Sequence, residues 1–119
     1  MPRILVVDDE PLISMLVGGW LDELGCEVVG PTGSVEGGLK LIASGPLDGA
    51  ILDINLGGEN SYSVANALKE KGVPFAFATG DSGVGADSGF KDPLLLRKPF
   101  DFEAVKSVVG KLLKPQAVA

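Results

Sequence analysis

The stretch Ile4-Leu5-Val6-Val7-Asp8-Asp9-Glu10-Pro11 decides the fold, because it joins a short apolar run to adjacent acids and a proline. An apolar run without polar alternation predicts a strand that is buried on both faces of a parallel sheet. Pro11 suits the first turn of a helix. The pair Asp8 and Asp9 therefore marks the turn between a buried strand and the helix that follows it.

Three later apolar runs also end in polar side chains. If all four runs are parallel strands, their carboxyl ends lie along one edge of a sheet. Carboxylates gathered at such an edge repel each other strongly unless a divalent cation joins them, so the pattern indicates a site for a hard metal ion. The later polar residues are Asp53 after Ala50-Ile51-Leu52, Thr79 after Phe75-Ala76-Phe77-Ala78, and Lys98, with Pro99 next, after Leu94-Leu95-Leu96-Arg97.

The composition is that of one acidic domain with a hydrophobic core. The 119 residues are 45% hydrophobic with a mean hydropathy of +0.31, which is enough to bury a core. The net charge of −6 argues against a nucleic-acid surface. Cys26 is the only cysteine, so no intrachain disulfide can form, and the lack of histidine excludes His-based zinc sites. We expect one domain over residues 1–119, with 114–119 as a loose tail.

Neither a membrane span nor a leader sequence is expected. Apolar runs stop at four or five residues, whereas a spanning helix needs about 20. Met1-Pro2-Arg3 leads straight into the first strand, which leaves no room for a signal peptide. We therefore expect a cytoplasmic protein that binds neither a membrane nor nucleic acid.

Apolar runs alternate with helical patterns along the chain. Right-handed crossovers between parallel strands then predict an α/β fold, a five-stranded doubly wound sheet with helices on both faces. By analogy with flavodoxin-like domains we expect the strand order 2-1-3-4-5, with ligands at the carboxyl ends of strands one and three. The predicted strands are Arg3–Asp8, Cys26–Gly30, Asp48–Asp53, Val73–Thr79 and Leu94–Lys98, and the predicted helices are Pro11–Leu24, a segment capped by Ser34, Ser61–Lys71 and a segment capped by Asp101.

Two features of the helices follow from local chemistry. Apolar stripes at helical spacing, which include Leu16 and Leu39, are expected to face the sheet, and Gly25 and Gly72 are expected to end their helices. The segment Gly80–Asp92 contains four glycines, each of which costs a helix about 1 kcal/mol relative to alanine. We therefore expect the fourth helix to be short, frayed or mobile.

The order of these motifs resembles the receiver domain of two-component response regulators, over essentially the whole chain. The resemblance implies that Asp53 accepts a phosphoryl group from a phosphohistidine on a sensor histidine kinase or a histidine phosphotransfer protein. It implies a Mg²⁺ site made by Asp8, Asp9, Asp53 and the backbone carbonyl of Asn55. Asp9 is also expected to cap the first helix. Glu10 either supports the metal ligands or is simply solvated, and solvation is the favoured interpretation.

The resemblance also assigns roles at the ends of the last two strands. Lys98 would place its ammonium against a phosphoryl oxygen, and Thr79 would donate its hydroxyl to the phosphoryl group. The bond before Pro99 would be cis. The expected output is a conformational change that is recognised by an unidentified protein partner. Alternatively, the domain passes its phosphoryl group onward or removes phosphoryl groups from a kinase as a phosphate sink.

One part of the sequence departs from the usual receiver pattern. Leu95 stands where many receivers carry a switch aromatic. The stretch from Pro74 to Gly80, Pro-Phe-Ala-Phe-Ala-Thr-Gly, is similar to the FAT GUY receivers, typically stand-alone proteins of alphaproteobacteria. Asp81 departs from that signature, and we hypothesise that it affects phosphate lifetime. A second hypothesis is that Gly80–Asp92 becomes ordered on phosphorylation.

Two other functions remain as alternatives. A haloacid-dehalogenase-type phosphohydrolase also uses Asp, Thr and Lys at strand ends, but it needs a second acid where Asn55 stands. A receiver-fold scaffold that works without phosphorylation would be expected to lose part of the acid, Thr and Lys set, and none of it is missing. The favoured interpretation is a signalling phospho-acceptor. Such a protein is not an enzyme with a separate substrate, because it catalyses only its own phosphorylation and dephosphorylation.

Overall fold

The computed structural model of the chain describes residues 1–80 and 94–113. Within these ranges the structure describes seven strands and four helices. The strands are β1 (Arg3–Val7), β2 (Glu27–Thr32), β3 (Gly49–Asp53), β4 (Asn55–Leu56), β5 (Glu59–Asn60), β6 (Phe75–Thr79) and β7 (Leu94–Arg97), and the helices are α1 (Pro11–Glu23), α2 (Val35–Ser44), α3 (Tyr62–Glu70) and α4 (Phe102–Leu112).

The main sheet has five parallel strands in the order β2-β1-β3-β6-β7. Since β4 and β5 form a separate hairpin, β6 and β7 are the fourth and fifth strands of this sheet, and the predicted order 2-1-3-4-5 is confirmed. Asp53 pairs in register with Ala78, and Thr79 pairs with Arg97. The carboxyl ends of the central strands are therefore level along one edge.

A hydrophobic core covers each face of the sheet. Successive residues of β1 point to opposite faces, so Ile4 and Val6 join one core cluster while Leu5 and Val7 join the other. All four are at most 1% exposed. Since burying a side chain of this size contributes roughly 1.5–3 kcal/mol, β1 anchors the acidic turn that follows it.

The helix ends mostly follow the predicted capping chemistry. Ser34 accepts a hydrogen bond from the Gly37 amide at 3.0 Å, and Asp101 accepts one from Ala104 at 2.9 Å. Gly25 and Gly72 follow α1 and α3 with φ of 79° and 71°. The expectation that Asp9 caps α1 is wrong: the N-cap residue is Glu10, without a side-chain cap.

Three details of the fold differ from the sequence-based expectation. Strand β2 continues to Thr32, because Thr32 pairs with Val7 after a register shift. The β4–β5 hairpin was not predicted at all. Leu16 and Leu39, expected to face the sheet, are 43% and 38% exposed, because the buried stripes of α1 and α2 are narrower than the apolar ones.

Some predictions lie outside the described residues. The short or mobile fourth helix was placed in Gly80–Asp92, of which only Gly80 is described, and the loose tail was placed at 114–119. Across 1–80 and 94–113, every helix is too short or too polar to cross a bilayer.

Candidate functional site

Three strands of the sheet bring one lysine and two buried acids together. Asp8 follows β1, Asp53 ends β3 and Lys98 follows β7. The Lys98 Nζ lies 3.1 Å from Asp53 Oδ2 and 3.7 Å from Asp8 Oδ2. It also donates to Glu10 Oε1 at 3.2 Å. One ammonium is thus shared by three carboxylates.

Burial divides the acids into two kinds. Asp8 and Asp53 are each 7% exposed, whereas Asp9 and Glu10 are exposed to solvent. Backbone amides orient the two buried carboxylates, because Glu10 N donates to Asp8 Oδ1 at 2.8 Å and Asn55 N donates to Asp53 Oδ1 at 3.3 Å. The buried acids are therefore held in fixed orientations, with the exposed acids beside them.

The electrostatics of the site shift the pKa values of two residues, Asp8 and Lys98. Burial, the largest effect, raises the pKa of Asp8, and the charges of Asp53 and Glu10 add to it, although the Glu10 amide and Lys98 oppose it. Burial alone would lower the pKa of Lys98, but its hydrogen bonds to Asp53 and Glu10 outweigh this and the pKa is raised. Lys98 is therefore a fully charged counter-ion at neutral pH.

The acids form a group of oxygen donors suited to a hard cation. Asp8, Asp9, Glu10 and Asp53 each offer one carboxylate oxygen, and these atoms all lie within 4.8 Å of one another. Oxygens on opposite sides of an octahedral Mg²⁺ are about 4.2 Å apart, given Mg–O distances near 2.1 Å. The donor set therefore suits Mg²⁺ in its chemistry, and its spread of up to 4.8 Å is slightly wider than an occupied octahedral site.

A cavity of about 390 Å³ opens over three of these donors, Asp9, Glu10 and Asp53. Asn55, in the β4–β5 hairpin, lines the same cavity. Gly80, which directly follows β6, lines it as well. Its lining residues are Asp9, Glu10, Asp53, Asn55, Gly57, Gly80 and Lys98.

The remaining predicted site residues lie on the last two strands. Thr79 is 6% exposed at the end of β6, and its carbonyl accepts a hydrogen bond from Lys98 N at 2.8 Å. The Lys98–Pro99 bond is cis, as the resemblance implied. Leu95 is half-buried in register with Phe77 and packs on the core face rather than in the cavity. Asp81 lies outside the described residues.

Glu10 is the site residue whose contacts the sequence reasoning did not predict. Solvation was favoured over a supporting role in the site; Glu10 is exposed, but its carboxylate also contacts Lys98 and belongs to the donor group. The contact joins residues 88 positions apart, so no local pattern reveals it. The one available signal was that the third acid directly follows Asp8-Asp9 at a strand end.

The fold and the site together define a doubly wound α/β domain with a lysine-bridged acidic pocket at the carboxyl ends of its strands. The model of the response regulator receiver domain family matches residues 4–109. The chain therefore belongs to the response regulator receiver family, which functions in two-component signalling.

Solved structures show the same likeness across the chain. SdrG from Sphingomonas melonis is 44% identical, with a TM-score of 0.83 over 95% of this chain and 97% of SdrG. TrrA from Thermotoga maritima, solved in complex with Mg²⁺ and BeF, is 36% identical, with a TM-score of 0.82 over 95% of this chain and 100% of TrrA. TrrA has also been solved in complex with the histidine kinase ThkA.

Curated relatives are longer than this chain. The transcriptional regulator RpaA of Synechocystis is 32% identical over 123 residues, which cover 96% of this chain and 50% of RpaA. The chain thus spans about half the length of the curated relatives it matches.

Proposed function

We propose that this chain is a Mg²⁺-dependent phospho-receiver in which Asp53 accepts a phosphoryl group from a phosphohistidine donor. The observation that carries the proposal is the environment of Asp53. Its buried carboxylate lies 3.1 Å from Lys98 Nζ, in a donor group of four carboxylates beneath an open cavity. A lone strand-end aspartate has neither the cation nor the neighbouring acids.

The residues of the site suit phosphoryl transfer to a weak nucleophile. The carboxylate of Asp53 is oriented by the Asn55 amide on one oxygen and Lys98 on the other. One Asp53 oxygen forms a bond to phosphorus as the phosphorus–nitrogen bond of the donor imidazole breaks, and that bonding pair returns to the imidazole. Positioning and charge neutralisation supply the catalysis.

Each neighbouring residue has a separate task in this proposal. Asp8 and Asp9, with Asp53 and the Asn55 carbonyl, would hold Mg²⁺, which when bound neutralises the charge between acceptor and phosphoryl oxygens. Lys98 would exchange one carboxylate contact for a phosphoryl oxygen. Its contact with exposed Glu10 is the one most easily given up, since water can replace it at that carboxylate. Thr79 would donate its hydroxyl to the phosphoryl group.

An exposed apolar surface beside the cavity supports docking of a protein donor. Leu12 and Met15 of α1 are 63% and 66% exposed. Next to them a largely apolar cavity of about 390 Å³ is lined by Leu16, Trp20 and Phe100, and it also touches Lys98. Exposed apolar surface of this kind marks protein interfaces. We infer a sensor histidine kinase or a histidine phosphotransfer protein as the donor, in keeping with the ThkA complex of TrrA.

Two finer assignments belong to the same proposal. The motif Pro74–Gly80 and the leucine at position 95 support membership of the FAT GUY subclass. Output would then depend on Thr79 and on residues near Gly80 rather than on an aromatic switch, and it would reach a protein partner or pass phosphate onward in the cytoplasm. No observation on the described residues favours a haloacid-dehalogenase-type phosphohydrolase.

Intact-mass measurement after incubation with acetyl phosphate tests the function. With Mg²⁺ the wild type should gain the mass of one phosphoryl group, and it should gain none in EDTA. Asp53→Asn should gain none in either condition. Asp22→Asn, at an exposed position on α1, is the matched control and should behave like the wild type. An unmodified wild type, or an adduct retained in Asp53→Asn, would favour the phosphorylation-independent scaffold or another acceptor.

A further inference from the structure

The loop between β2 and α2 lies directly against the acidic turn. Thr32 O accepts a hydrogen bond from Asp8 N at 2.9 Å, which ties the two loops together. At the next residue, Gly33, a β-carbon would lie 3.2 Å from Asp9 Cα and 3.6 Å from Asp9 Cβ. A side chain at position 33 would therefore require Asp9 to shift by a few tenths of an ångström.

The loop that carries Gly33 has little freedom to move away. A β-carbon at Gly37 would lie 2.1 Å from Thr32 Oγ1, so Thr32 is pressed against the first turn of α2. The Gly37 amide also donates to Ser34 Oγ at 3.0 Å, which holds the same turn. Asp9, in contrast, is exposed and lies outside both β1 and α1. A methyl group at position 33 would therefore displace Asp9 rather than the loop.

We propose that Gly33 is a positioning residue for Asp9, and that it fixes where the Asp9 carboxylate meets the metal. The inference rests on the proposed Mg²⁺ site. Mg²⁺ demands nearly ideal octahedral geometry, so a ligand shifted by tenths of an ångström weakens its binding. Ca²⁺ accepts variable geometry, so the same shift weakens Ca²⁺ binding less. Gly33 thus contributes to the preference for the smaller ion.

Titration of ¹⁵N-labelled protein with MgCl₂ and with CaCl₂, followed by amide shifts, tests this role. Gly33→Ala should bind Mg²⁺ about tenfold more weakly than the wild type, with a smaller loss for Ca²⁺. Gly19→Ala, at a helix position where nothing lies within 4 Å of an added β-carbon, is the matched control and should keep both affinities. The thermal midpoint of Gly33→Ala in EDTA should stay within a few degrees of the wild type.

A double-mutant cycle distinguishes a specific effect of Gly33 on the position of Asp9 from a general destabilisation of the site. Asp9→Asn removes the ligand charge, so Gly33→Ala should cost little further Mg²⁺ affinity in that background. Additive losses, an unchanged ratio of Mg²⁺ to Ca²⁺ affinity, or a collapse of the EDTA midpoint would overturn the positioning role. A wild type whose amides do not respond to Mg²⁺ would overturn the proposed function, and this inference with it. A responsive wild type with an equally responsive Gly33→Ala would overturn the inference alone.

Discussion

At the scale of single residues, Lys98 offsets the negative charge of the acids in the metal-free site. Its ammonium contacts three carboxylates in the described part of the molecule, and two of those carboxylates are buried. A buried charge whose partner is removed destabilises the folded state. The lysine is therefore needed for the stability of the site as well as for its chemistry.

Lys98→Met keeps most of the aliphatic stem and removes the charge. It should lower the free energy of unfolding by about 1–2 kcal/mol at pH 7 without divalent ions, because Asp8 and Asp53 then repel each other unopposed. Saturating Mg²⁺ should recover part of the loss. Since the pKa of Lys98 is raised in the folded state, its stabilising contribution is complete at neutral pH and is lost only as the pH rises through that pKa. Urea unfolding measures the effect.

The matched control is Lys40→Met. Lys40 pairs with Glu36 on α2 with both side chains more than 70% exposed, and removing such a pair should change stability by less than about 0.5 kcal/mol. Equal losses for the two lysine variants would contradict the role given to Lys98.

Asp8 should reduce stability in the metal-free protein. Because burial raises its pKa, the folded state disfavours the carboxylate relative to the unfolded chain. Asp8→Asn should therefore raise the free energy of unfolding in EDTA at pH 7. The gain should shrink as the pH falls through the raised pKa towards the ordinary value of 3.8, where wild-type Asp8 is protonated as well. Urea unfolding at pH 7 and pH 4 checks this, and a gain that grows on acidification would contradict it.

The sequence predicted where a residue lies when that position depends on the end of a strand. It did not predict which side chains contact each other. The apolar runs before Asp8, Asp53 and Lys98 place these residues at one edge whatever the details of packing. The contact between Glu10 and Lys98 and the missing cap at Asp9 depend on loop geometry. That geometry is set by distant segments such as the β2–α2 loop, so it has no local signal.

At the scale of elements, two serines in equivalent positions should behave in opposite ways. Ser34 caps α2 through the Gly37 amide, and Ser34→Ala should cost about 1 kcal/mol. Ser61 precedes α3 without a side-chain cap, and its fully buried hydroxyl has no hydrogen-bond partner among the described residues. Ser61→Ala should therefore be neutral or stabilising by up to about 1 kcal/mol. Thermal unfolding of both variants measures the contrast, and a loss at Ser61 equal to that at Ser34 would refute it.

Long elements were predictable, and short or bent ones were not. The helices and main strands follow from hydrophobic periodicity and from caps such as Ser34 and Asp101. The hairpin of Asn55–Leu56 and Glu59–Asn60 has two residues in each strand, too few for a period to appear. The register shift that carries β2 on to Thr32 likewise depends on its partner strand.

At the scale of the whole molecule, metal binding should stabilise the fold. An ion that binds only the folded state contributes RT ln(1 + [L]/Kd), about 1.4 kcal/mol at ten times the dissociation constant. Mg²⁺ should therefore raise the thermal midpoint of the wild type. Asp9→Asn should respond much less, and NaCl at matched ionic strength should not reproduce the effect. An equal response to both salts would show screening rather than a site.

The order of the sheet could be anticipated only by analogy. Apolar runs predict parallel strands but not their neighbours, and the crossover that sets β1 between β2 and β3 is a property of the assembled molecule. That crossover brings Asp8 beside Asp53, so the site depends on topology as much as on motifs.

The most direct test of the central claim is to locate the acyl phosphate within the chain. After incubation with acetyl phosphate and Mg²⁺, borohydride reduces an aspartyl phosphate to homoserine, which peptide mass spectrometry can assign to a position. We predict homoserine at position 53 alone, and none when Mg²⁺ is withheld. Homoserine at position 8 or 9, or no homoserine at all, would contradict the claim that Asp53 is the phosphoryl acceptor of this site.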